Sequence, residues 1–454
     1  LSAPRSLLPT FAALRLAQGP ASAGKACPLL CAQKFTLSLY RNSKPMKNIH
    51  IILKLTLIML LTVIAQSCKE KSDPFDDNTY LVSATREVTM TETNINTLLN
   101  VIKAVYPGVS EIISDVDGGV IVYSITYNTS FNGEDVLASG LVAIPSKPGT
   151  YPVLAYQNGT NTLHSEAPSV NPFNSYYQVL ECIASTGYVV MMADYLGFGV
   201  SDDMPHPYFH KESTVRCLVD MLYSLREFDD DIATDITISN EHFLLGYSQG
   251  GWSTLAFLDA LENDYSADFN VTAASCGAGA YDIAYFNSYV LGLAEYPMPV
   301  FLCYIANAFS EYDLFTNQLS DLFQSPYFER IPLLYDGMHS SDQINGQLTP
   351  LIPQLFRAEY ITGHATSAAY ASVRNAMTAN SIAGWDCDVP LLFVHGTEDN
   401  YVIPELSEMM HDAMLDAGTN SLLCKYAELE GLDHSEGVLP AGIAGLSFFK
   451  LFRK

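Results

Sequence analysis

The chain has 454 residues, 48% of them hydrophobic, which is enough for one large α/β domain or two smaller ones around a sizeable core. Its formal net charge is −26, and the charge is uneven: eight of the 23 basic residues precede Cys68, which leaves 15 basic residues against 49 acidic ones from there on. Such an acidic body repels nucleic acid and anionic membranes, so we exclude a nucleic-acid-binding role.

The first 67 residues predict an export signal. Residues 1–45 contain no methionine and no acidic residue, and we interpret them as non-native upstream sequence, with a disordered extension as the alternative. Residues 46–67 have the order of a signal peptide, with Lys47 at the positive end, an apolar stretch over 55–65 and a cleavage zone before Cys68. A transmembrane anchor is disfavoured because Lys54 leaves too short an apolar run to span a bilayer.

Cys68 stands where bacterial lipoproteins carry their lipidated cysteine. The segment 67–70, Ser-Cys-Lys-Glu, resembles lipoproteins of the Bacteroidota, which implies a lipid on Cys68 and membrane attachment in the periplasm or at the cell surface. Ala65 occupies a position where a larger aliphatic residue is usual, and residues 65–67 also fit ordinary signal peptidase. A soluble secreted form is therefore the alternative.

The folded body is predicted to follow a tether that we place at residues 68–90. Helical spacing of apolar residues predicts a helix over 95–106. Two strand-like runs, 119–127 and 136–144, are joined through Asn132-Gly133, a dipeptide that favours a tight reversal. This arrangement predicts an antiparallel hairpin.

From residue 151 onward, buried strand-like runs alternate with segments of helical spacing. The alternation predicts an α/β protein with a mostly parallel sheet that is covered on both faces. In such a sheet ligands bind beyond the carboxyl ends of the strands. The predicted strands are 153–157, 188–193, 243–246, 271–276, 391–395 and 422–426, and the predicted helices are 176–185, 213–228, 251–261, 405–417 and 442–452.

Residues 280–385 interrupt this alternation and are rich in aromatic and small helix-forming residues. A loop of this length without structure is uncommon, so we predict a helical cap inserted into a core made of residues 91–279 and 386–454. The aromatic residues favour an apolar acyl or aryl substrate, although aromatic residues in helices more often serve packing.

Ser248 lies in the sequence Gly246-Tyr247-Ser248-Gln249-Gly250, between a buried strand-like run and a helical segment. A sharp turn from strand to helix strains the serine backbone and needs residues without a Cβ on both sides. We interpret the motif as a nucleophile elbow that holds the serine hydroxyl at the top of the sheet. The N–H of Gln249 is then a predicted hydrogen-bond donor to an oxyanion. An ordinary turn is the alternative.

A reactive serine needs a base, and the base needs an acid that holds its tautomer. Asp399 and His434 follow the last two predicted strands, in the order that this arrangement requires. Glu398 and Asp433 are rivals for the acid, and Asp433 is disfavoured because it adjoins the histidine on one loop. The alternative for His434 is an ordinary loop histidine.

The loop after the predicted strand 153–157 contains Asn158, Gly159 and Thr160. We predict that one of their N–H groups completes the oxyanion site, because glycine permits a close approach. The alternative is a simple Asn-Gly turn.

No metal or cofactor site is predicted. His206 and His210 have a spacing typical of metal ligands, but Pro207 disfavours the helix that would align them. An exported protein permits disulfides, yet the sequence does not specify pairs, and some of the cysteines fit buried thiols. The six cysteines after Cys68 are Cys182, Cys217, Cys276, Cys303, Cys387 and Cys424.

Together, these motifs resemble the α/β-hydrolase fold over residues 118–454, and within it the secretory lipase group that includes Candida lipase A. The resemblance implies a serine carboxylester hydrolase with a helical cap over an acyl pocket, with Ser248 as nucleophile, Asp399 as acid and His434 as base. Many members have histidine where this chain has Asn158. The motifs that carry the resemblance are residues 138–143, 156–160, 193–199, 246–250 and 395–399.

We therefore predict an exported serine esterase or lipase that acts on a small ester or lipid through an acyl-enzyme and needs no cofactor. One alternative is a serine peptidase of the same fold, because the same three side chains cleave amides. The other is a hydrolase-fold binding lipoprotein that has lost its chemistry. The sequence leaves the acyl length and the oligomeric state open.

Overall fold

A computed structural model of the protein describes residues 78–232 and 235–453. The predicted upstream extension, the signal peptide and the lipidated Cys68 lie outside these residues. Among the described residues, no helix combines the length and the apolar character that crossing a bilayer requires.

One mixed sheet organises the described chain. The strands lie in the order β1-β2-β3-β5-β4-β6-β7-β8-β9. The first three strands are antiparallel, β3 is antiparallel to β5, and the other neighbours are parallel. The strands are β1 Leu81–Met90, β2 Val120–Phe131, β3 Glu134–Pro145, β4 Gly149–Gln157, β5 Val189–Ala193, β6 Ile236–Tyr247, β7 Asn270–Gly277, β8 Leu391–Gly396 and β9 Cys424–Leu429.

The predicted hairpin is present and comprises β2 and β3. Its two turn residues, Asn132 and Gly133, both have positive φ, at 52° and 82°. Paired positive φ values belong to the tight turn whose twist matches that of the flanking strands, which explains the choice of Asn-Gly.

The prediction of a tether over residues 68–90 is wrong for residues 81–90, because these form β1 and pair with β2. Strand β1 lies at the edge of the sheet, and its central side chains are exposed. An exposed edge strand carries polar residues, so its composition is close to that of a linker. The Glu227 carboxylate accepts the N–H groups of Thr79, Tyr80 and Leu81 and fixes the start of the strand.

Helices cover both faces of the sheet. Ile95, Leu180 and Phe449 belong to the apolar cluster on one face, and Leu222 and Leu255 belong to the cluster on the other. The α-helices of this core are α1 Glu92–Lys103, α2 Ser110–Ile113, α3 Ser175–Ile183, α4 Lys211–Asp231, α5 Gln249–Asn263, α14 Glu405–Ala417 and α15 Val438–Phe449, with 3-10 helices at Pro107–Val109, His164–Glu166, Ala184–Thr186 and Gly199–Ser201.

The segment between β7 and β8 is helical, and we call residues 280–385 the helical insertion. An aromatic stack joins it to the core: Tyr304 stacks on Tyr208 of the core at 4.2 Å between ring centroids, and Tyr335 stacks on Tyr304 at 4.4 Å. Its helices are α6 Ile283–Leu291, α7 Pro299–Glu311, α8 Leu319–Leu322, α9 Tyr327–Leu334, α10 Ser341–Asn345, α11 Ile352–Leu355, α12 Ala358–Gly363 and α13 Ala371–Asn380, with a 3-10 helix at Ala368–Tyr370.

The six cysteines within the described residues are free thiols, and all six are buried. They therefore act as small apolar core residues.

Candidate active site

Ser248 occupies the turn between β6, which ends at Tyr247, and α5, which begins at Gln249. Its φ and ψ are 61° and −123°, a conformation that a residue with a side chain rarely adopts. The Ser248 N–H donates to the Gly277 carbonyl at 2.9 Å, and the Ser248 carbonyl accepts the Trp252 N–H at 3.2 Å. Backbone strain of this kind persists only where surrounding contacts impose it, and it is frequent at functional sites.

Both flanking glycines of the motif are required by close backbone contacts. A Cβ on Gly246 would lie 2.2 Å from the Gly250 carbonyl oxygen, and a Cβ on Gly250 would lie 2.0 Å from the Gln157 carbonyl oxygen. Neither distance is compatible with a side chain, so the turn forms only with glycine at these two positions.

The structure brings the three predicted side chains together beyond the carboxyl ends of the strands. His434 Nε2 lies 2.9 Å from Ser248 Oγ, and His434 Nδ1 lies 2.5 Å from Asp399 Oδ2. Because a carboxylate only accepts, Nδ1 carries the proton, and Nε2 is free to accept from the serine hydroxyl. Asp399 and His434 are buried, whereas Ser248 is partly exposed.

Asp399 is held as an anion by several donors. Its Oδ1 accepts the N–H groups of Tyr401 and Val402, both at 2.9 Å. Burial alone would raise the pKa of Asp399, but the hydrogen bonds from His395 and His434 and the attraction of these rings lower the pKa to about 2.

The two rival acids are not in contact with the histidine ring. Glu398 is exposed. Asp433 Oδ1 accepts the N–H groups of Ser435 and Glu436, both at 2.9 Å, and so caps the turn that follows. Asp433 therefore stabilises the loop that carries His434, and Asp399 is the carboxylate that hydrogen-bonds to the imidazole ring.

His395 is a second histidine on Asp399 that the sequence analysis did not single out. Its Nε2 donates to Asp399 Oδ2 at 3.1 Å and to the Val402 carbonyl at 2.8 Å, while its Nδ1 accepts from Ser407 at 2.7 Å. The ring is completely buried. A histidine inside an otherwise apolar strand, four residues before the predicted acid, is the sequence signal that could have identified it.

The predicted oxyanion loop lies beside the serine. A Cβ on Gly159 would be 3.9 Å from the Ser248 Cβ, which shows how closely the backbone passes. Within residues 78–232 and 235–453, the backbone N–H groups of Gln249 and of the loop residues Asn158, Gly159 and Thr160 have no acceptor. The side chains of two loop residues bond elsewhere: Asn158 Nδ2 donates to the Ala193 carbonyl at 2.6 Å, and the Thr160 hydroxyl bonds that of Tyr208 at 2.6 Å.

His206 and His210 serve separate structural contacts. His206 Nδ1 lies 2.7 Å from the Leu196 carbonyl, and His206 Nε2 lies 3.1 Å from the Gln249 side-chain nitrogen. His210 Nδ1 lies 2.9 Å from Ser213 Oγ. Burial lowers the pKa of His206 to about 4. Over the described part of the chain, no group of three or more His, Cys, Asp or Glu side chains is arranged to hold a metal.

A small apolar pocket opens beside the serine. Both the core and the helical insertion contribute to its wall. The lining residues are Tyr208, Phe209, Ser248, Gln249, Ala280, Phe286, Phe301, Ile305 and Val402.

Solved structures similar to this chain include three hydrolases or proposed hydrolases. A proposed hydrolase from Legionella pneumophila is 24% identical with a TM-score of 0.73, covering 82% of this chain and 98% of its own. The rice cell wall degrading esterase LipA from Xanthomonas oryzae is 20% identical with a TM-score of 0.69, covering 83% and 100%. Candida antarctica lipase A is 15% identical with a TM-score of 0.59, covering 84% and 87%. No protein-family model and no curated protein sequence matches the chain.

At sequence identities this low, the similarity to these solved structures establishes the fold of the chain. The chain has the α/β-hydrolase fold, with the mixed sheet and the antiparallel amino-terminal strands that the sequence predicted. A shared fold alone does not specify a reaction, so the function has to be argued from the site.

Proposed function

We propose that the protein is a serine carboxylester hydrolase, an esterase or lipase that acts through an acyl-enzyme. The observation that carries the proposal is the chain of two hydrogen bonds from Ser248 Oγ to His434 Nε2 at 2.9 Å and from His434 Nδ1 to Asp399 Oδ2 at 2.5 Å. This arrangement turns a weakly nucleophilic alcohol into a reactive one.

In the first half of the proposed reaction, Ser248 Oγ attacks the ester carbonyl while His434 Nε2 takes the hydroxyl proton. The negative charge that develops on the carbonyl oxygen is stabilised by the N–H group of Gln249 and by one from loop residues 158–160, all of which have no other acceptor in the described structure. The carbon–oxygen bond to the alcohol then breaks, and His434 returns the proton to the departing oxygen. The product is an ester of Ser248 with the acyl group.

In the second half, His434 takes a proton from water, and the resulting hydroxide attacks the acyl carbon. The bond to Ser248 Oγ breaks, the serine regains its proton from His434, and the carboxylic acid leaves. Asp399 stabilises the imidazolium that forms in both halves, because its pKa of about 2 keeps it negatively charged.

Further support comes from the similar solved structures, two of which are described as an esterase and a lipase. The competing proposal of a serine peptidase rests on the same three side chains and has no independent observation in its favour. A hydrolase-fold binding protein that has lost its chemistry would have no need for the strained backbone of Ser248.

The proposal is tested by kcat/KM for p-nitrophenyl esters and for aminoacyl p-nitroanilides, measured with the wild type and Ser248→Ala. We expect ester hydrolysis by the wild type and its loss in Ser248→Ala. The matched control is Ser421→Ala, an exposed serine in the loop before β9, which should keep full activity. Anilide turnover above ester turnover would replace the esterase by the peptidase.

We also propose that the protein is exported and carries a lipid on Cys68. Support comes only from the sequence, in which a signal-peptide pattern over residues 46–67 precedes this cysteine. Expression in a bacterial host that processes lipoproteins, with an alkyne fatty acid in the medium, should label the wild type and leave Cys68→Ser unlabelled. Release of unlabelled protein into the medium would support the secreted form instead.

A further inference from the structure

Two tyrosines flank the imidazole of His434, and they differ in exposure. The ring centroid of Tyr247 lies 5.1 Å from that of His434, and the ring centroid of Tyr401 lies 5.5 Å from it. Tyr247 is buried, and its hydroxyl donates to the His434 carbonyl, whereas Tyr401 is partly exposed. A substrate can therefore reach the ring of Tyr401 but not that of Tyr247.

This difference in exposure bears on the choice of substrate. We infer that Tyr401 is a specificity-determining residue that binds the alcohol part of the ester and selects leaving groups with an uncharged aromatic ring. The preferred substrates are then aryl and arylmethyl esters. This inference rests on the proposed function and deepens it, because it names the class of alcohol that leaves.

The proposed reaction places the alcohol beside Tyr401. His434 Nε2, which lies 2.9 Å from Ser248 Oγ, gives its proton to the departing oxygen. The group on that oxygen must therefore lie next to the imidazole. The partly exposed ring that packs against the imidazole is that of Tyr401.

Tyr401 lies at the edge of the apolar pocket beside Ser248 without lining it. Its chain neighbour Val402 lines the pocket, and so does Phe301. The ring centroids of Phe301 and Tyr401 are 6.3 Å apart at an interplanar angle of 62°, and both side chains are partly exposed. The ring of Tyr401 therefore borders a region outside the pocket, between Phe301 and the imidazole.

The backbone of Tyr401 is held on both sides, which fixes the position of its ring. Its N–H donates to Asp399 Oδ1 at 2.9 Å, and its carbonyl accepts the hydroxyl of the buried Tyr296 at 2.8 Å. Within residues 78–232 and 235–453, Tyr401 forms hydrogen bonds only through its backbone. The side chain can therefore be substituted while the backbone keeps its contact with Asp399.

An aromatic ring that is open to solvent favours a second ring as its partner. Pairs of aromatic rings with their centroids about 4.5 to 7 Å apart attract each other beyond the effect of buried area. In binding, this attraction corresponds to roughly two- to tenfold over a saturated group of similar size. An aromatic leaving group therefore gains an advantage at Tyr401 that a saturated ring does not.

Two acidic residues lie near the Tyr401 hydroxyl. Asp433 belongs to the loop that carries the base, and Asp342 belongs to α10 of the helical insertion. Burial raises the pKa of the Tyr401 phenol, and the carboxylates of Asp433 and Asp342 raise it further. These carboxylates repel a negatively charged leaving group, so an uncharged ring is favoured.

The test measures kcat/KM for the esters of benzyl alcohol, cyclohexylmethanol and 4-carboxybenzyl alcohol. All three carry the acyl group of the p-nitrophenyl ester that the wild type hydrolyses fastest. We expect the wild type to prefer the benzyl to the cyclohexylmethyl ester, and Tyr401→Leu to lower this ratio by roughly two- to tenfold. Differences in intrinsic reactivity cancel, because both proteins are measured with the same esters.

The 4-carboxybenzyl ester tests the effect of charge. We expect the wild type to hydrolyse it about fivefold more slowly than the benzyl ester, which corresponds to about one unit of charge repulsion at close range in water. Added salt should narrow the difference, because it screens exposed charges. This comparison uses the wild type alone, so it holds even if Tyr401→Leu does not fold.

Two control variants isolate the effect of the ring. Tyr401→Phe keeps the ring, and Tyr151→Leu removes a partly exposed tyrosine at the amino end of β4, at the opposite edge of the sheet from Ser248. Both should keep the wild-type ratio of benzyl to cyclohexylmethyl ester.

Three results would overturn the inference alone. The first is an equal loss on the benzyl and cyclohexylmethyl esters in folded Tyr401→Leu, because the ring would then only support His434. The second is a 4-carboxybenzyl ester that is hydrolysed as fast as the benzyl ester, and the third is a wild type that hydrolyses p-nitrophenyl esters but not the benzyl ester. Absence of hydrolysis of every ester would overturn the proposed function and the inference with it.

Discussion

The phenol of Tyr247 donates a hydrogen bond to the backbone carbonyl of His434 at 2.8 Å, and so joins the turn of the nucleophile to the loop of the base. Two glycines leave room for this side chain: a Cβ on Gly437 would lie 2.5 Å from the phenol oxygen, and a Cβ on Gly277 would lie 2.6 Å from the ring. The Tyr247 and His434 ring centroids are 5.1 Å apart. Tyr247 is therefore placed to position the imidazole.

We expect Tyr247→Phe to lower kcat by roughly tenfold with little change in KM, because a small displacement of the base acts on the reaction and not on substrate binding. The unpaired His434 carbonyl should also cost about 1 to 3 kcal/mol in the free energy of unfolding. Ester kinetics and urea unfolding measure the two effects. Tyr285→Phe, at an exposed tyrosine, is the matched control. Lost stability with an unchanged kcat would limit Tyr247 to a structural role.

His206 is expected to position Gln249, whose N–H is a proposed oxyanion donor. Since His206 Nδ1 donates to the Leu196 carbonyl, its Nε2 accepts from the Gln249 amide at 3.1 Å. The pKa of His206, lowered to about 4 by burial, preserves this contact at neutral pH. His206→Phe keeps an aromatic ring but removes the acceptor, and we expect kcat to fall by roughly tenfold, less than the 10² to 10³-fold effect of losing a donor outright.

A double-mutant cycle checks that the effect passes through Gln249. Gln249→Leu in the His206→Phe background should add little to the loss, because the two side chains share one hydrogen bond. Additive losses in kcat would show that His206 acts through other contacts.

Asp399→Asn should abolish most of the activity while leaving the fold intact. The amide cannot supply the charge that stabilises the imidazolium, and by analogy with other enzymes of this chemistry we expect kcat to fall by about 10⁴-fold. Burst kinetics with a p-nitrophenyl ester would show slow acylation. Asp433→Asn, at the rival position, should retain most of the wild-type kcat. A larger loss of kcat in Asp433→Asn than in Asp399→Asn would identify Asp433 as the acid.

Glu181 predicts a pH dependence of stability that is separate from activity. It is fully buried, and within the described residues neither carboxylate oxygen has a hydrogen-bond partner. Burial raises the pKa of Glu181 to about 8. Below a pH of about 4.5, the Glu181 carboxyl is protonated in both the folded and the unfolded protein. Between about 4.5 and 8 only the unfolded chain loses the proton, so stability falls as the pH rises, by about 1.4 kcal/mol per pH unit. Above 8 this contribution is constant.

Urea unfolding from pH 5 to 9 measures this contribution. We expect Glu181→Gln to lack the fall and to be more stable than the wild type at pH 8, because the amide carries no ionisable proton. Glu430→Gln, at an exposed position, should keep the wild-type slope. An identical pH dependence in Glu181→Gln and the wild type would show that Glu181 ionises normally in the folded protein.

The sequence predicted the fold, and the side chains that meet beside Ser248, where local chemistry determines the structure. The glycines around Ser248 and the Asn132-Gly133 turn are required by backbone geometry, so their positions can be inferred from residue type alone. Strand β9 begins two residues later than predicted because a turn at Asn420 accepts the N–H groups of Leu423 and Cys424.

Contacts between distant residues were not predictable in the same way. Tyr247 and His434 are 187 positions apart, and their hydrogen bond depends on how β6 and the loop after β9 meet in space. His395 stands out in the sequence as a histidine in an apolar strand, but its hydrogen bond to Asp399 is known only from the structure. The edge strand β1 resembles a tether in sequence, because the exposed side chains of an edge strand and of a linker are both polar.

Labelling with a fluorophosphonate shows whether His434 and Asp399 make Ser248 reactive, because the probe forms a covalent bond only with an activated serine. Purified wild-type protein would be treated with the probe, digested and analysed by mass spectrometry. We expect one modified peptide that carries the label on Ser248, loss of the label in Ser248→Ala and strong reduction of the label in His434→Ala. An unlabelled wild type, or a label that persists in folded Ser248→Ala, would contradict this expectation.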